Sequence, residues 1–93
     1  MDEELKKAAE AAKSGKSEPF QALVKILRAG PPAPIKEMLA SPDAVLRRAA
    51  ILAAKGRPDA SLLAAVAALA SDADVAVRRM LAENIGEEPG EKV

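Results

Sequence analysis

The chain has no cysteine, histidine, tryptophan, tyrosine or threonine, and one residue each of phenylalanine, asparagine and glutamine. Without cysteine there are no disulfides and no thiolate metal sites. Without histidine the chain lacks the commonest general base near neutral pH, the imidazole metal ligand and every Ser-His or Cys-His nucleophile pair. Most enzyme classes fall with it, so no catalytic, cofactor-binding or metal-ligating residues are expected. Excess charge is missing too: 14 basic and 14 acidic side chains cancel. A nucleic-acid or anionic-membrane binder normally relies on the long-range field that such an excess provides, so neither partner is expected, while near-zero charge permits self-association. The longest uncharged run, Ala60 to Ser71, is far short of the roughly 20 apolar residues that span a bilayer. The acidic start Met1, Asp2, Glu3, Glu4 is unlike a signal peptide, which needs a basic start and an apolar stretch behind it. A soluble cytoplasmic protein is the expectation.

What is present is helical. Of the 93 residues 49% are apolar, and one domain of this length buries roughly 60 to 65% of its unfolded surface, enough for a core without staples. Gly15, Gly30, Gly56 and Gly86 each close a segment of helical composition, as glycine in the left-handed conformation does at helix C-termini. The seven prolines fall at segment starts, in linkers or in the tail. Ser17, Ser41, Asp59 and Asp72 stand ahead of apolar-periodic runs as candidate N-caps.

These marks predict six helices and no strands in one all-α domain over residues 1–86, followed by a disordered tail over 87–93. The first runs from about Asp2 to Ser14 and carries only one large apolar residue, Leu5. The second, about Glu18 to Ala29, sets Phe20, Leu23, Val24 and Leu27 in one stripe. A third, about Pro34 to Ala40, follows a stiff linker of Gly30, Pro31, Pro32 and Ala33, whose P-x-x-P spacing reads as a fixed-angle connection. The fourth runs from Ser41 to Lys55 and the sixth from about Ala73 to Ile85. Between them, Leu62 to Ala70 has no polar residue on any side. A helix apolar all round must be enclosed. In a monomer the fifth helix is then the centre of the bundle; otherwise a second copy covers one of its faces.

A shift of 31 positions superimposes Asp43, Ala44, Val45, Leu46, Arg47, Arg48 on Asp74, Val75, Ala76, Val77, Arg78, Arg79. Self-similarity at a fixed period marks stacked helical hairpins. The stretch Asp43 to Gly86, about half of the chain, resembles the short HEAT-like repeats of the phycobilisome-lyase type. Their pattern is an acidic turn, V-R-x-x-A-x-x-x-L, a glycine, a second helix and another acidic turn. That resemblance implies a protein-binding scaffold with no catalytic residues. The chain as a whole also resembles computationally designed helical proteins: caps, glycine stops, prolines only at starts and alanine-filled interiors all agree. That second resemblance implies a fold that is its own purpose, and it is the leading expectation. The alternative is a natural HEAT-like module that binds a protein through a face of helices two, four or six.

Arg47, Arg48, Arg78 and Arg79 form a candidate basic ridge if the fourth and sixth helices lie side by side. Neighbouring Asp43, Asp59, Asp72 and Asp74 offset its charge and no aromatic is at hand to stack a base, so a solvated, ion-paired face or a protein contact is expected. Gly15, Lys16, Ser17 imitates the end of a phosphate-binding loop, but Glu10 stands where its first glycine belongs. Asp72 and Asp74 have the spacing of two calcium ligands, with Ala76 and Val77 in place of the third ligand and the turn glycine. Both read as cap and first-turn acids.

Overall fold

The structure, a computed structural model, describes residues 3–57 and 59–86. The expected tail over 87–93 lies outside the described residues. Six α-helices follow one another: α1 (Glu3–Ala12), α2 (Ser17–Ala29), α3 (Pro32–Leu39), α4 (Ala44–Ala54), α5 (Ala60–Ala67) and α6 (Val75–Leu81). α5 runs on into a 3-10 turn, Ala68–Ser71, and α6 into a π-helical turn, Ala82–Gly86. Among the described residues there is no strand.

The helices pair as hairpins, α1 on α2 and α3 on α4, and the pairs stack. α2, α4 and α6 make one row, with α4 touching both neighbours, while α3 lies on α5 in a second row. A single apolar cluster runs through the stack from Leu5 to Leu81. The Cα radius of gyration is 12.6 Å, close to the ~12 Å expected of a folded domain of this length.

The central helix is α4, not α5. Ala49, Ala50, Ile51, Ala53 and Ala54 are all fully buried, and small side chains let α2, α3 and α6 close around them. α5 instead lies on the flank, turning Leu62, Val66 and, from the 3-10 turn, Leu69 inward. Leu63 is 44% exposed, and Ala60, Ala64 and Ala67 also face outward. Alanine hides too little surface for its burial to be compulsory, so a helix with no polar residue still sits at the edge.

Several boundaries also move, each for a local reason. α3 begins at Pro32, whose fixed φ and missing N–H suit a first helical turn. The predicted linker therefore shrinks to Gly30 and Pro31. Lys16, not Ser17, occupies the N-cap position of α2 and makes no side-chain cap; the Ser17 hydroxyl accepts from the Gln21 amide at 3.0 Å. Asp59 caps α5 as expected, but α4 and α6 are capped by Asp43 and Asp74, each two residues beyond the expected Ser41 and Asp72. Gly15 and Gly56 adopt positive φ of 83° and 81°. Gly30 does not: its φ is −105°.

Candidate interaction surface

The 31-residue echo is realised as two equivalent turns. Before α4, the Asp43 carboxylate accepts from Val45 N–H at 2.8 Å and the Ser41 hydroxyl oxygen accepts from Asp43 N–H at 3.1 Å. Before α6, Asp74 accepts from the Ala76 and Val77 amides at 2.8 and 3.2 Å, and the Asp72 carboxylate accepts from Asp74 N–H at 2.8 Å. One helical turn on, an arginine reaches back to the start of each turn. Arg47 Nη1 donates to the Ser41 carbonyl at 2.8 Å, and Arg78 Nη1 to the Asp72 carbonyl at 2.6 Å. Buried residues follow the same shift, with Ile35 and Val66, Met38 and Leu69, and Leu46 and Val77 in matching places.

At one position the two turns differ, and there they are joined. Asp72 replaces the serine of the first turn, and Arg47 Nη2 donates to its Oδ1 at 3.0 Å. Arg47 Nε stands 2.8 Å from Oδ2 as a charge contact, its N–H pointing off the hydrogen-bond line. With the side chains 15% and 8% exposed, this is a largely desolvated ion pair between α4 and the turn before α6. The Asp74 amide first, and then Arg47, hold the Asp72 carboxyl below the usual carboxylate range, against the opposing effect of its own burial. Asp59 is lowered as well, by the Ser61 hydroxyl at 2.7 Å and the Leu62 amide at 3.0 Å.

The four candidate arginines thus divide. Arg47 and Arg78 converge on Asp72, one through its carboxylate and one through its carbonyl. Arg48 lies a third of a helical turn away from Arg47, its guanidinium 5.8 Å from the centre of the Phe20 ring. With Gly15, Ser17 and Met80 it lines a shallow cavity of about 260 Å³. Arg79 is exposed. Gly15, Lys16 and Ser17 make the turn from α1 into α2, where Lys16 N–H donates to the Ser14 hydroxyl at 3.3 Å.

Two arginines not singled out from the sequence hold helix ends together. Arg28 Nη1 donates to the Leu52 and Lys55 carbonyls at the end of α4, at 2.9 and 3.2 Å. Arg57 Nη1 donates to the Arg28 carbonyl at the end of α2, at 3.0 Å. The legible signal was a cation beside the negative end of a helix, with orphan carbonyls to satisfy.

A groove of about 570 Å³ opens between α1 and the α3–α4 hairpin. Its apolar lining includes Ala9, Met38, Pro42 and Leu46, and Lys6, Glu10, Lys13 and Glu37 add both signs of charge. It opens because α1 leans on α2 whereas α3 leans on α4 and α5. Among the described residues no group of three or more acidic side chains is placed to hold a metal ion, and no helix is long and apolar enough to cross a membrane. No family model matches the chain, and no curated protein and no solved structure matches it.

Proposed function

We propose that the chain is a non-catalytic scaffold, a short stack of helical hairpins of the HEAT-like kind that acts by presenting surface to another polypeptide. One observation carries this reading: the turns at Ser41–Arg47 and Asp72–Arg78 are equivalent, and Arg47 ties one to the next through Asp72. Hairpins related in this way bury their apolar faces against each other and leave grooves and ends open. The groove beside α1, lined by apolar side chains and by charges of both signs, suits an amphipathic helix. A sequence without histidine or cysteine supplies no conventional nucleophile–base pair, which supports the non-catalytic part.

A second reading has its own support. Among the described residues no polar or charged residue is fully buried and alanine fills much of the interior, as in an idealised designed chain whose purpose is its fold, although the buried Nε atoms of Arg47 and Arg48 lack hydrogen-bond partners and depart from that ideal. One titration separates the two. Amphipathic helical peptides, some with acidic and some with basic polar faces, are added to isotope-labelled chain while amide shifts are followed. The scaffold reading expects saturable shifts confined to the lining of the groove. No saturable shift up to millimolar peptide, together with no thermal transition below about 95 °C, supports the designed, inert fold instead.

A further inference from the structure

α1 rests on less than the other helices do. It buries one large side chain, Leu5, together with Ala9 and Ala12, whereas each of the others buries at least two large apolar residues. It runs close along α2 and only grazes α4. Arg28 and Arg57 tie the ends of α2 and α4 together, and Arg47 ties α4 to the turn before α6. The polar bonds of α1 stay local: Lys13 Nζ donates to Glu10 at 3.1 Å, and the Ser14 hydroxyl donates to the Ala11 carbonyl at 2.8 Å. Among the described residues no side-chain hydrogen bond or ion pair joins α1 to another helix.

Open apolar space borders α1 on two sides. The groove of about 570 Å³ passes Ala9, and a second cavity of about 310 Å³ lies between Leu5 and Ile26, Leu27, Pro31 and Pro34. Leu5 is 4% exposed and Ala9 7%, so both side chains are seated, yet each has room beside it. Ala12 is fully buried and borders neither space. A helix with the same i, i+4, i+7 spacing and a larger residue in the place of Ala9 would reach into the groove and bury more apolar surface on the same seat. The structure thus shows what covers this seat, and the cover fits it loosely.

We infer that α1 is an intramolecular stand-in for a partner helix. It covers its seat on α2 and α4 until an amphipathic helix displaces it, one with apolar residues at the spacing of Leu5, Ala9 and Ala12 and a large side chain in the place of Ala9. The inference rests on the reading of the chain as a scaffold that binds such a helix, and it moves that helix from beside α1 into the place of α1. Opening of α1 then sets the apparent affinity, because a partner that needs the bare seat binds with its intrinsic Kd divided by the open fraction.

Native-state hydrogen exchange on the full chain reads the opening. The hydrogen-bonded amides of α1, residues 7–12, should be protected by a factor of roughly 10², against ~10⁴ or more for α4, whose amides exchange only on global unfolding. Equal protection of α1 and α4 overturns the inference, because α1 then belongs to one cooperative unit with the rest. Displacement is read by titrating isotope-labelled chain with a synthetic peptide of residues 3–16 that carries Ala9→Leu. In the chain itself, Leu5→Ala removes the one large anchor, and Lys7→Pro breaks α1 at an exposed position. Each should raise the affinity for the peptide at least about tenfold while α2 to α6 keep their amide shifts, and Ala9→Leu in the chain should lower it by a similar factor. Binding that Leu5→Ala and Lys7→Pro leave unchanged or weaken places the peptide beside α1: the scaffold reading then stands and the displacement falls. No saturable binding by any of these variants also overturns the displacement, while the titration with the wider set of amphipathic peptides decides the scaffold reading separately. Collapse of the whole fold in both Leu5→Ala and Lys7→Pro overturns it as well.

Discussion

Neutralising Asp72 is the most informative single perturbation of this fold, because its carboxylate joins α4 to the turn that opens α6. Asp72→Asn keeps an oxygen to accept the Asp74 amide and removes only the charge facing Arg47. At charge separations near 4 Å and an effective dielectric of 20, the direct attraction is about 4 kcal/mol, much of it offset by desolvation. With side chains 15% and 8% exposed, the pair lies between an exposed pair at ~0–1 kcal/mol and the 3–5 kcal/mol lost when one partner of a buried pair is removed. We expect about 2 kcal/mol for Asp72→Asn, a similar loss for Arg47→Met, and little more for the double variant, so a coupling energy of ~2 kcal/mol. A domain of this size has a total stability of roughly 5–14 kcal/mol, so the loss is large.

Urea unfolding followed by far-UV circular dichroism at neutral pH reads this directly. With a slope of about 1 kcal/mol/M, each single variant moves the midpoint by ~2 M, and its melting temperature falls by roughly 8–16 °C. The molecule holds its own control: Lys13 and Glu10, 3.1 Å apart with side chains 41% and 73% exposed, should couple by no more than ~0.5 kcal/mol. An Arg47–Asp72 coupling as small as that of the control pair refutes the reasoning. Acid gives the same test with its sign fixed. The Asp72 carboxyl is lowered in the folded chain from its ordinary value of 3.8, so its stabilisation is complete above that pH and is lost as pH falls through the folded value. The coupling should therefore be equal at pH 7 and pH 5 and shrink on the acid side of 3.8. Asp59 shifts in the same direction, so it is the coupling, not overall acid stability, that isolates Asp72.

Three further substitutions test other parts of the structure. Val66→Asp buries an unpaired charge at a fully enclosed position and is expected to unfold the chain, whereas Ala64→Glu, two residues away on the outer side of α5, should change stability by less than ~0.5 kcal/mol; loss of far-UV helicity distinguishes them. Asp43→Ala and Asp74→Ala each remove a side-chain cap and should cost about 1 kcal/mol in a urea titration, while Ser17→Ala, at a residue that caps nothing, should cost only a few tenths. Gly56→Ala forces a methyl-bearing residue to a φ of 81° and should cost about 1 kcal/mol, whereas Gly30→Ala, whose added Cβ meets only the Ile26 carbonyl at 3.6 Å, should leave the midpoint unchanged or slightly raised.

The local grammar of this chain was legible where the signal is covalent or periodic. Six helices, positive φ at Gly15 and Gly56, the cap at Asp59 and the inward stripe of Leu23 and Leu27 all follow from residue type and spacing. Cap positions slipped by two residues at Ser41 and Asp72, because each offers an oxygen at a plausible place and the true caps, Asp43 and Asp74, stand just beyond. What decides between them is proximity to the first free helical amides: Ser41 and Asp72 each accept from the amide of the aspartate that is the true cap. Of the arginine ridge, only the meeting of Arg47 and Arg78 survives as a unit, and it centres on an aspartate that the sequence offered as a helix cap.

The exchange of centre and flank between α4 and α5 has a physical cause that polarity alone does not carry. α4 contains Arg47 and Arg48, which look disqualifying for a central helix. Yet Arg47 spends its charge on Asp72 and Arg48 lies against Phe20, leaving Ala49, Ala50, Ala53 and Ala54 beyond them fully buried. α5 has no charge, but its outward positions are mostly alanine, and an exposed alanine forgoes little. The question for such a helix is which large residues it leaves outside. On α5 that residue is Leu63, 44% exposed. The charge-free run from Ala60 to Ser71 allowed either a central helix or a face covered by a second copy. With the centre occupied by α4, the first of these does not hold, because a run of alanine can face water at little cost.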